Sequence, residues 1–327
     1  MDYGVHLPLI AFDRRPWSLR RLMEYVETAE RLGFAALSAN DHLLFSRPWL
    51  DGPTALATVL AAAGRMDLMT TVALPVVRGP VPLAKSLATV DILSGGRLIV
   101  GVGPGSSPRD YSAVGVPFDE RWKRLDEAVR TLRVLWSKEA PTFTGEFYST
   151  EGIVLEPCPA RPPPVWICSW GSEASLRRTA RLGDGWLASA YNTTPEVFAG
   201  ARNRLGEHLR AAGKDPDQFP NAVATMFFHT TENPATAKRI VRHILSPVMG
   251  RPEEELHRRL LVGSAEECAE RIIAYQETGA RRILLWPVED ELRQLTMFWE
   301  RIVPLVRAQT SPDAANAPPR TTSPRRY

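Results

Sequence analysis

A run of three polar residues, Asn40-Asp41-His42, follows a short apolar segment near the N-terminus. An aspartate can accept a hydrogen bond from a ring or a hydroxyl group, and a histidine can act as a general acid or base near neutral pH. A purely structural role fits the same residues, with Asp41 capping the next segment and His42 packed in the interior. By position alone the two interpretations are equally supported.

A glycine-rich turn is the second candidate. The segment 98–102 is apolar throughout, which indicates a strand buried on both faces of a parallel sheet. Gly103 and Gly105 follow it, and the missing Cβ lets a backbone approach a ligand closely. In parallel α/β folds, ligands bind at this end of the strands. The spacing is not that of the dinucleotide fingerprint, so a structural strand-to-helix turn is the alternative.

A third candidate, Gly171-Ser172-Glu173, lies between an apolar segment and a helical pattern. Backbone N–H groups at a helix N-terminus can hold a phosphate, and Ser172 can add a hydroxyl donor. Taken alone, Ser172 is better interpreted as an ordinary N-cap. Glu173 would disfavour a phosphate unless its carboxylate points away.

Several further side chains receive a structural interpretation first. Asp110 and Glu120 are expected at the surface or at helix caps, and His229 is expected to pack in the interior. Three tryptophans near strand ends can either line an aromatic pocket or pack in the core and rim; these are Trp49, Trp170 and Trp286.

The hydrophobic pattern predicts the elements that position these residues. It indicates eight strands, each followed by a helix, at 4–8, 34–38, 68–72, 98–102, 165–168, 185–188, 222–229 and 282–286. Eight such repeats fit a (β/α)8 barrel. We expect one domain over 1–307, a hairpin-like insertion at 141–158, a second insertion at 245–261 and a disordered tail at 308–327.

Composition narrows the class of protein. The chain has 327 residues and a formal net charge of +3, which gives no electrostatic case for nucleic-acid binding. No apolar run approaches the ~20 residues of a membrane helix, and a strand begins almost at once, so no secretory signal is expected. The three cysteines fit neither a disulfide framework nor a metal pattern, so we expect a reducing cytoplasm and no metal site.

The glycine-rich turn belongs to a longer segment that resembles the bacterial-luciferase-like family of flavin or deazaflavin oxidoreductases. The residues that carry the resemblance include Ala88-Thr-Val-Asp91, Leu93-Ser-Gly-Gly-Arg97, Gly101-Val-Gly103, Tyr111, Gly115-Val-Pro117, Arg124-Leu-Asp-Glu127 and Leu132-Arg-Val-Leu-Trp136. Later segments, such as Pro163–Ile167 and Arg181–Trp186, are also similar to the family.

The resemblance implies a barrel that binds coenzyme F420 and transfers a hydride between this deazaflavin and a small organic substrate, in a homodimer. An FMN-dependent monooxygenase and a non-catalytic barrel are the alternatives. It implies that His42 is catalytic and that Thr71–Val72 is a cis peptide behind the ring. The residues implied in cofactor binding are Asp41, Thr71, Val72, Leu74, Gly103, Gly105, Ser106, Arg109, Gly171 and Ser172.

Ser106 departs from one branch of that family. Sugar-phosphate dehydrogenases that resemble this chain carry a catalytic acid at this place, and a serine cannot supply it. The departure argues against sugar-phosphate dehydrogenase chemistry.

Overall fold

The computed structural model describes residues 1–12, 15–139 and 142–310. The strands in this part of the chain form one parallel sheet; they are β1 (Asp2–His6), β2 (Ala36–Ala39), β3 (Asp67–Ala73), β4 (Leu98–Val102), β5 (Val165–Cys168), β6 (Gly185–Ser189), β7 (Asn221–Thr230), β8 (Leu261–Gly263) and β9 (Arg282–Pro287). Strand β1 pairs with β2 and β9, and β7 pairs with β6 and β9. Eight strands therefore close into the predicted (β/α)8 barrel, and β8 pairs with the C-terminal end of β7.

Helices surround the barrel. They are α1 (Leu19–Leu32), α2 (Gly52–Thr58), α3 (Pro75–Arg78), α4 (Pro80–Ser94), α5 (Pro108–Ala113), α6 (Arg121–Leu135), α7 (Glu173–Leu182), α8 (Pro195–Ala211), α9 (Pro234–Arg239), α10 (Ser246–Met249), α11 (Glu253–Arg259), α12 (Ala265–Glu277), α13 (Glu291–Met297) and α14 (Val303–Thr310). Two π-helical segments, Ile240–Leu245 and Phe298–Ile302, continue α9 and α13. Ser264 and Glu267 form a capping box at the start of α12.

The hydrophobic core has two parts. Inside the barrel, a small cluster of side chains from the strands fills the interior; it comprises Ala36, Met69, Trp166, Leu187, Ala222, Ala224 and Leu284. A much larger cluster lies between the strands and the surrounding helices. Because side chains of a strand alternate between its two faces, the same strand can contribute to both clusters, as β2, β3, β5, β6, β7 and β9 do. The filled interior leaves the C-terminal rim as the place where a ligand can bind.

The insertion between α6 and β5 has the predicted hairpin character from residue 142 onward. Thr144 and Ser149 form an isolated antiparallel bridge. Glu127 of α6 accepts backbone hydrogen bonds from Glu146, Phe147 and Tyr148, at 2.9, 2.8 and 3.2 Å. A single carboxylate thus fixes the whole turn to the outside of the barrel.

Three boundaries differ from the prediction or lie outside the described residues. The second insertion, predicted at 245–261, is helical as α10 and α11 and its last helix ends at Arg259, because Leu261 begins strand β8. Helix α14 continues to Thr310, three residues into the predicted tail. Residues 311–327, which hold the rest of that tail, lie outside the described residues. Among the helices described, none is long and apolar enough to cross a membrane.

Candidate active site

Residues 40–42 follow the C-terminal end of β2 on the rim of the barrel, as predicted. Three different elements contact them. The Asn40 N–H donates to His6 Nε2 from the end of β1, Asp41 is paired with Arg78 of α3, and His42 contacts Asp110 of α5. Each of these three consecutive residues is therefore held by a different element of the fold.

His42 and Asp110 form a histidine–carboxylate pair. His42 Nδ1 lies 3.0 Å from Asp110 Oδ2, and Asp110 Oδ1 accepts a 2.7 Å bond from the Leu44 N–H. Asp110 is completely buried, whereas 17% of the His42 side chain is exposed. Because Nδ1 is occupied by the carboxylate, Nε2 is the nitrogen left to exchange a proton with a ligand.

The prediction that Asp110 is a surface or cap residue is wrong. Ser107 caps α5 and accepts from the Asp110 N–H, so the backbone of Asp110 does lie in a capping turn. Its side chain, however, turns inward to Leu44 and His42 instead of back to the cap. Glu120 fits its prediction, because it precedes α6 and pairs with Arg124 one turn later.

Asp41 is held by an arginine that the sequence interpretation missed. Arg78 Nε and Nη2 donate to the two Asp41 oxygens, both at 2.6 Å, and Arg78 also contacts Asp51. Burial alone favours the neutral guanidine, yet the two carboxylates raise the pKa of Arg78. Burial also opposes the ionised form of Asp51, but hydrogen bonds from Thr54 and Arg78 bring the pKa of that carboxyl below its usual value.

A bulge in β3 lies beside the group formed by Asp41, Arg78 and Asp51. The peptide between Thr71 and Val72 is cis, which confirms the prediction at that bond. The β3–β4 register shifts between Thr70 and Ala73, so the bulge turns this stretch out of the regular ladder. A Cβ at Gly103 would come within 2.9 Å of a Val72 methyl group, so only glycine lets the two strand ends approach this closely.

Aromatic rings line one wall next to His42. Phe45 and Trp49 have ring centroids 5.0 and 4.9 Å from that of His42, and Trp49 lies edge-on to Trp286 at 5.5 Å. The indole Nε1 atoms of Trp49 and Trp286 are buried without a hydrogen-bond partner in the described residues. Trp170 does not join this wall, since half of its surface is exposed. His229, with Nδ1 donating to the Val288 carbonyl at 2.7 Å, is a packed histidine as expected.

Comparison with known proteins adds to this geometry. The sequence pattern of the luciferase-like monooxygenases matches residues 11–259. The chain belongs to this family.

Relatives of this luciferase-like chain include F420-dependent enzymes. It is 30% identical to an F420-dependent glucose-6-phosphate dehydrogenase of Kineococcus radiotolerans, over 88% of this chain and 93% of the relative. Its fold matches an F420-dependent secondary alcohol dehydrogenase solved with an F420-acetone adduct, with a TM-score of 0.82 at 20% identity, over 94% of this chain and 99% of that one. A monooxygenase from Streptomyces bottropensis matches with a TM-score of 0.79 at 25% identity, over 93% and 99% of the two chains.

The strand ends of this luciferase-like barrel fit a ring-shaped cofactor. Asn40 Oδ1 and Thr71 Oγ1 are buried without partners in the part of the chain that the structure describes, so Asn40 can accept a bond from a bound group and Thr71 can accept or donate one. Gly105 has a φ of +77°, and a Cβ there would come within 3.2 Å of the Leu74 side chain. The predicted cofactor residues Thr71, Val72, Leu74, Gly103 and Gly105 therefore meet at the ends of β3 and β4.

The predicted phosphate loop lies at the end of the neighbouring strand β5. Ser172 is the N-cap residue of α7, but its side chain makes no cap hydrogen bond and instead donates to Ser175 Oγ at 2.9 Å. Glu173 accepts a 2.6 Å bond from His208 of α8 and lies 4.0 Å from Arg204, which draws its carboxylate toward α8. The first N–H groups of α7 thus remain available for an anion.

Two predicted cofactor residues, Ser106 and Arg109, are exposed on the loop and first turn of α5. They lie on the same βα-loop as Gly103 and Gly105, and Arg109 directly precedes the buried Asp110. The residues that sequence interpretation missed are His6, Arg78 and Asp110. Only His6 had a usable signal, because it lies at the end of a predicted strand; the helix-start spacing of Ser107-Pro-Arg-Asp110 predicts a cap and not the contact with His42.

Proposed function

We propose that this chain is an F420-dependent oxidoreductase that transfers a hydride between the deazaflavin and a small organic alcohol or ketone. The observation that carries the proposal is the His42–Asp110 pair on the barrel rim. It lies beside the bulge at Thr71–Val72, which suits a planar ring. The F420-dependent names of the relatives support it. F420, when bound, supplies hydride transfer in two-electron steps.

The residues of the chain bind the cofactor and the substrate, and they transfer the proton that accompanies the hydride. His42 Nε2 accepts the hydroxyl proton when an alcohol is oxidised, or donates it when a ketone is reduced. Asp110 holds the ring through Nδ1 and stabilises the imidazolium that forms. The buried Trp49 N–H next to His42 is available to donate to the substrate oxygen.

Cofactor binding is assigned to three places. The end of β3 would lie against the back of the ring, with Thr71, Val72 and Leu74. Gly103, Gly105 and the loop after β4, with Ser106 and Arg109, would cover one edge of the cofactor ring. Gly171, Ser172 and the N-terminus of α7 would hold the phosphate. Asp41 would orient the neighbouring backbone while its carboxylate stays on Arg78.

Titration with oxidised and reduced F420 and FMN, followed by fluorescence quenching, tests the proposal. We expect micromolar binding of F420 and weaker binding of FMN. Anaerobic bleaching of oxidised F420 by a panel of secondary alcohols then tests the reaction. Tight binding of reduced FMN with oxygen consumption would instead support the monooxygenase alternative, which the Streptomyces bottropensis match favours. Failure to bind either cofactor would reject both.

We further propose that the chain forms one barrel domain that dimerises and acts in the cytoplasm. Exposed apolar side chains at the end of α4, Ile92 and Leu93, support a protein contact there. The three cysteines are free, which suits a reducing compartment. Light scattering of the purified protein gives its mass directly, and a monomeric mass would reject the dimer.

A further inference from the structure

His6 is a completely buried histidine at the end of β1, one strand away from the candidate catalytic residue. Both of its ring nitrogens are used. Nδ1 donates to the Leu7 carbonyl at 2.6 Å, and Nε2 accepts from the Asn40 N–H at 3.0 Å. This pattern requires the neutral ring, and burial lowers the pKa of His6 to about 3, so the ring keeps one tautomer across the physiological range.

The bond to Asn40 is the first of two routes from His6 to His42. Asn40 lies two residues before His42, so its N–H fixes the backbone as the chain leaves β2. The His6 backbone is itself fixed, because its carbonyl accepts from the Tyr25 hydroxyl at 2.9 Å. A donor at Asn40 without its acceptor would be a buried, unpaired N–H group.

The second route runs through the aromatic wall. The His6 ring stacks on Trp286 with centroids 3.6 Å apart and planes within 14°, and Phe227 also stacks on that indole at 4.9 Å. Trp286 contacts Trp49, and Trp49 contacts the His42 ring. His6 therefore reaches both the backbone and the side-chain neighbours of His42.

We propose that His6 is a positioning residue for His42, which it orients through the Asn40 N–H and through its stack on Trp286, which contacts Trp49. The catalytic part of this proposal rests on the function proposed above. His6 does not touch the reacting groups, since both nitrogens are committed to the protein backbone. Its loss should change the orientation of His42 and the rate of turnover, and leave the binding of the cofactor intact.

The variant His6→Phe keeps a flat ring on Trp286 but removes the acceptor for Asn40. His229→Phe is the matched control, because His229 is also buried and also donates from Nδ1 to a backbone carbonyl. In the cofactor-free protein, we expect the ring NMR signals of His42 to move in His6→Phe and to stay in place in His229→Phe. Unchanged His42 signals in a folded His6→Phe protein would overturn the proposal.

Turnover gives the second measurement. We expect His6→Phe to lower kcat about tenfold or more, with Kd for F420 and KM for the alcohol within about twofold of the parent. His6→Gln, whose amide can accept from Asn40, should recover part of that kcat. Equal kcat in parent, Phe and Gln variants would overturn the proposal, and so would a parallel loss in His229→Phe.

Different results would reject the proposed function and the positioning role of His6. If the parent protein binds no F420, the proposed function is rejected, and the His42 signals still decide the positioning role. If His6→Phe does not fold, His6→Gln carries the same NMR comparison, because it keeps an acceptor for the Asn40 N–H and loses the ring stacked on Trp286. Signals of His42 that match the parent in a folded Gln variant would overturn the proposal, because the stack on Trp286 is part of it.

Discussion

The Nδ1 atom of His42 lies 3.0 Å from Oδ2 of Asp110, a carboxylate that is fully buried and belongs to a helix 68 residues further along the chain. A carboxylate in this place fixes the imidazole tautomer and leaves Nε2 facing the rim. The pair is the feature on which the proposed proton transfer depends.

Replacing that carboxylate by an amide tests the pair. In Asp110→Asn, the remaining oxygen can still accept from the Leu44 N–H, but the His42 contact changes. We expect kcat to fall by about 10²-fold or more, since positioned acid–base groups contribute at least this much, with little change in the Kd of F420. Glu120→Gln is the control, because Glu120 pairs with Arg124 outside the site. An active Asp110→Asn enzyme would remove Asp110 from the mechanism.

Removal of Arg78 tests the second contact on residues 40–42. Arg78→Met leaves the buried Asp41 carboxylate without its cation, which typically costs about 3–5 kcal/mol of unfolding free energy. Adding Asp41→Asn should restore part of that loss, because the uncompensated charge disappears. The control, Arg133→Met, breaks a partly exposed pair with Asp184 and should cost about 1 kcal/mol or less. Urea denaturation measures the parent and all three variants, and equal losses in both arginine variants would contradict the prediction.

Stability should fall in mild acid because of His6. Its pKa is about 3 in the folded chain and 6.5 for an unperturbed histidine, so the unfolded chain binds the proton first as pH falls. The stabilisation is complete above pH 6.5 and is lost progressively as pH falls toward 3. Between about pH 7 and pH 5 we expect a loss of about 2 kcal/mol from this residue. Burial lowers the pKa of His229 as well, which adds a loss of the same sign. Denaturation at several pH values measures the slope, which should be shallower in His6→Phe.

The turn of the first insertion depends on Glu127. In Glu127→Ala, three backbone N–H groups lose their acceptor, so the amides of Glu146, Phe147 and Tyr148 should exchange with solvent about tenfold faster or more. Barrel amides should exchange at their parent rates. Glu151→Ala is the control on the same insertion, since that residue is exposed. Slow exchange in Glu127→Ala would show that other contacts hold the turn.

Much of the fold could be predicted because barrel strands and helices have strong local patterns. The apolar run at β4 was predicted and is confirmed, and the capping box at Ser264 is likewise formed by near neighbours in sequence. Strand β8 was missed because three residues, Leu261–Gly263, are too short to show a period, and only pairing with β7 defines them.

The site was predicted less completely, for a physical reason. The cis bond at Thr71–Val72 was predicted from the resemblance and is confirmed, and the position of residues 40–42 after a strand was predicted from the hydrophobic pattern. The catalytic role of His42 stays a prediction. The partners of residues 40–42 come from β1, α3 and α5, and no local pattern links them. Whether Asp110 turns toward its own cap or toward His42 depends on burial, which a single sequence does not contain.

The helical segment 231–260, which contains most of the second insertion, starts and ends on adjacent strands. Thr230 at the end of β7 pairs with Gly263 of β8, and the Thr231 N–H donates to the Gly263 carbonyl at 2.8 Å. Neighbouring strands lie about 5 Å apart, so the whole helical segment between them leaves and re-enters the barrel at nearly one point. The segment is therefore joined to the barrel at one place, and its length can change without changing the pairing of β1 with β2, whose ends hold His6 and residues 40–42. Selection could in this way change what reaches the rim while the proton-transfer chemistry is inherited unchanged.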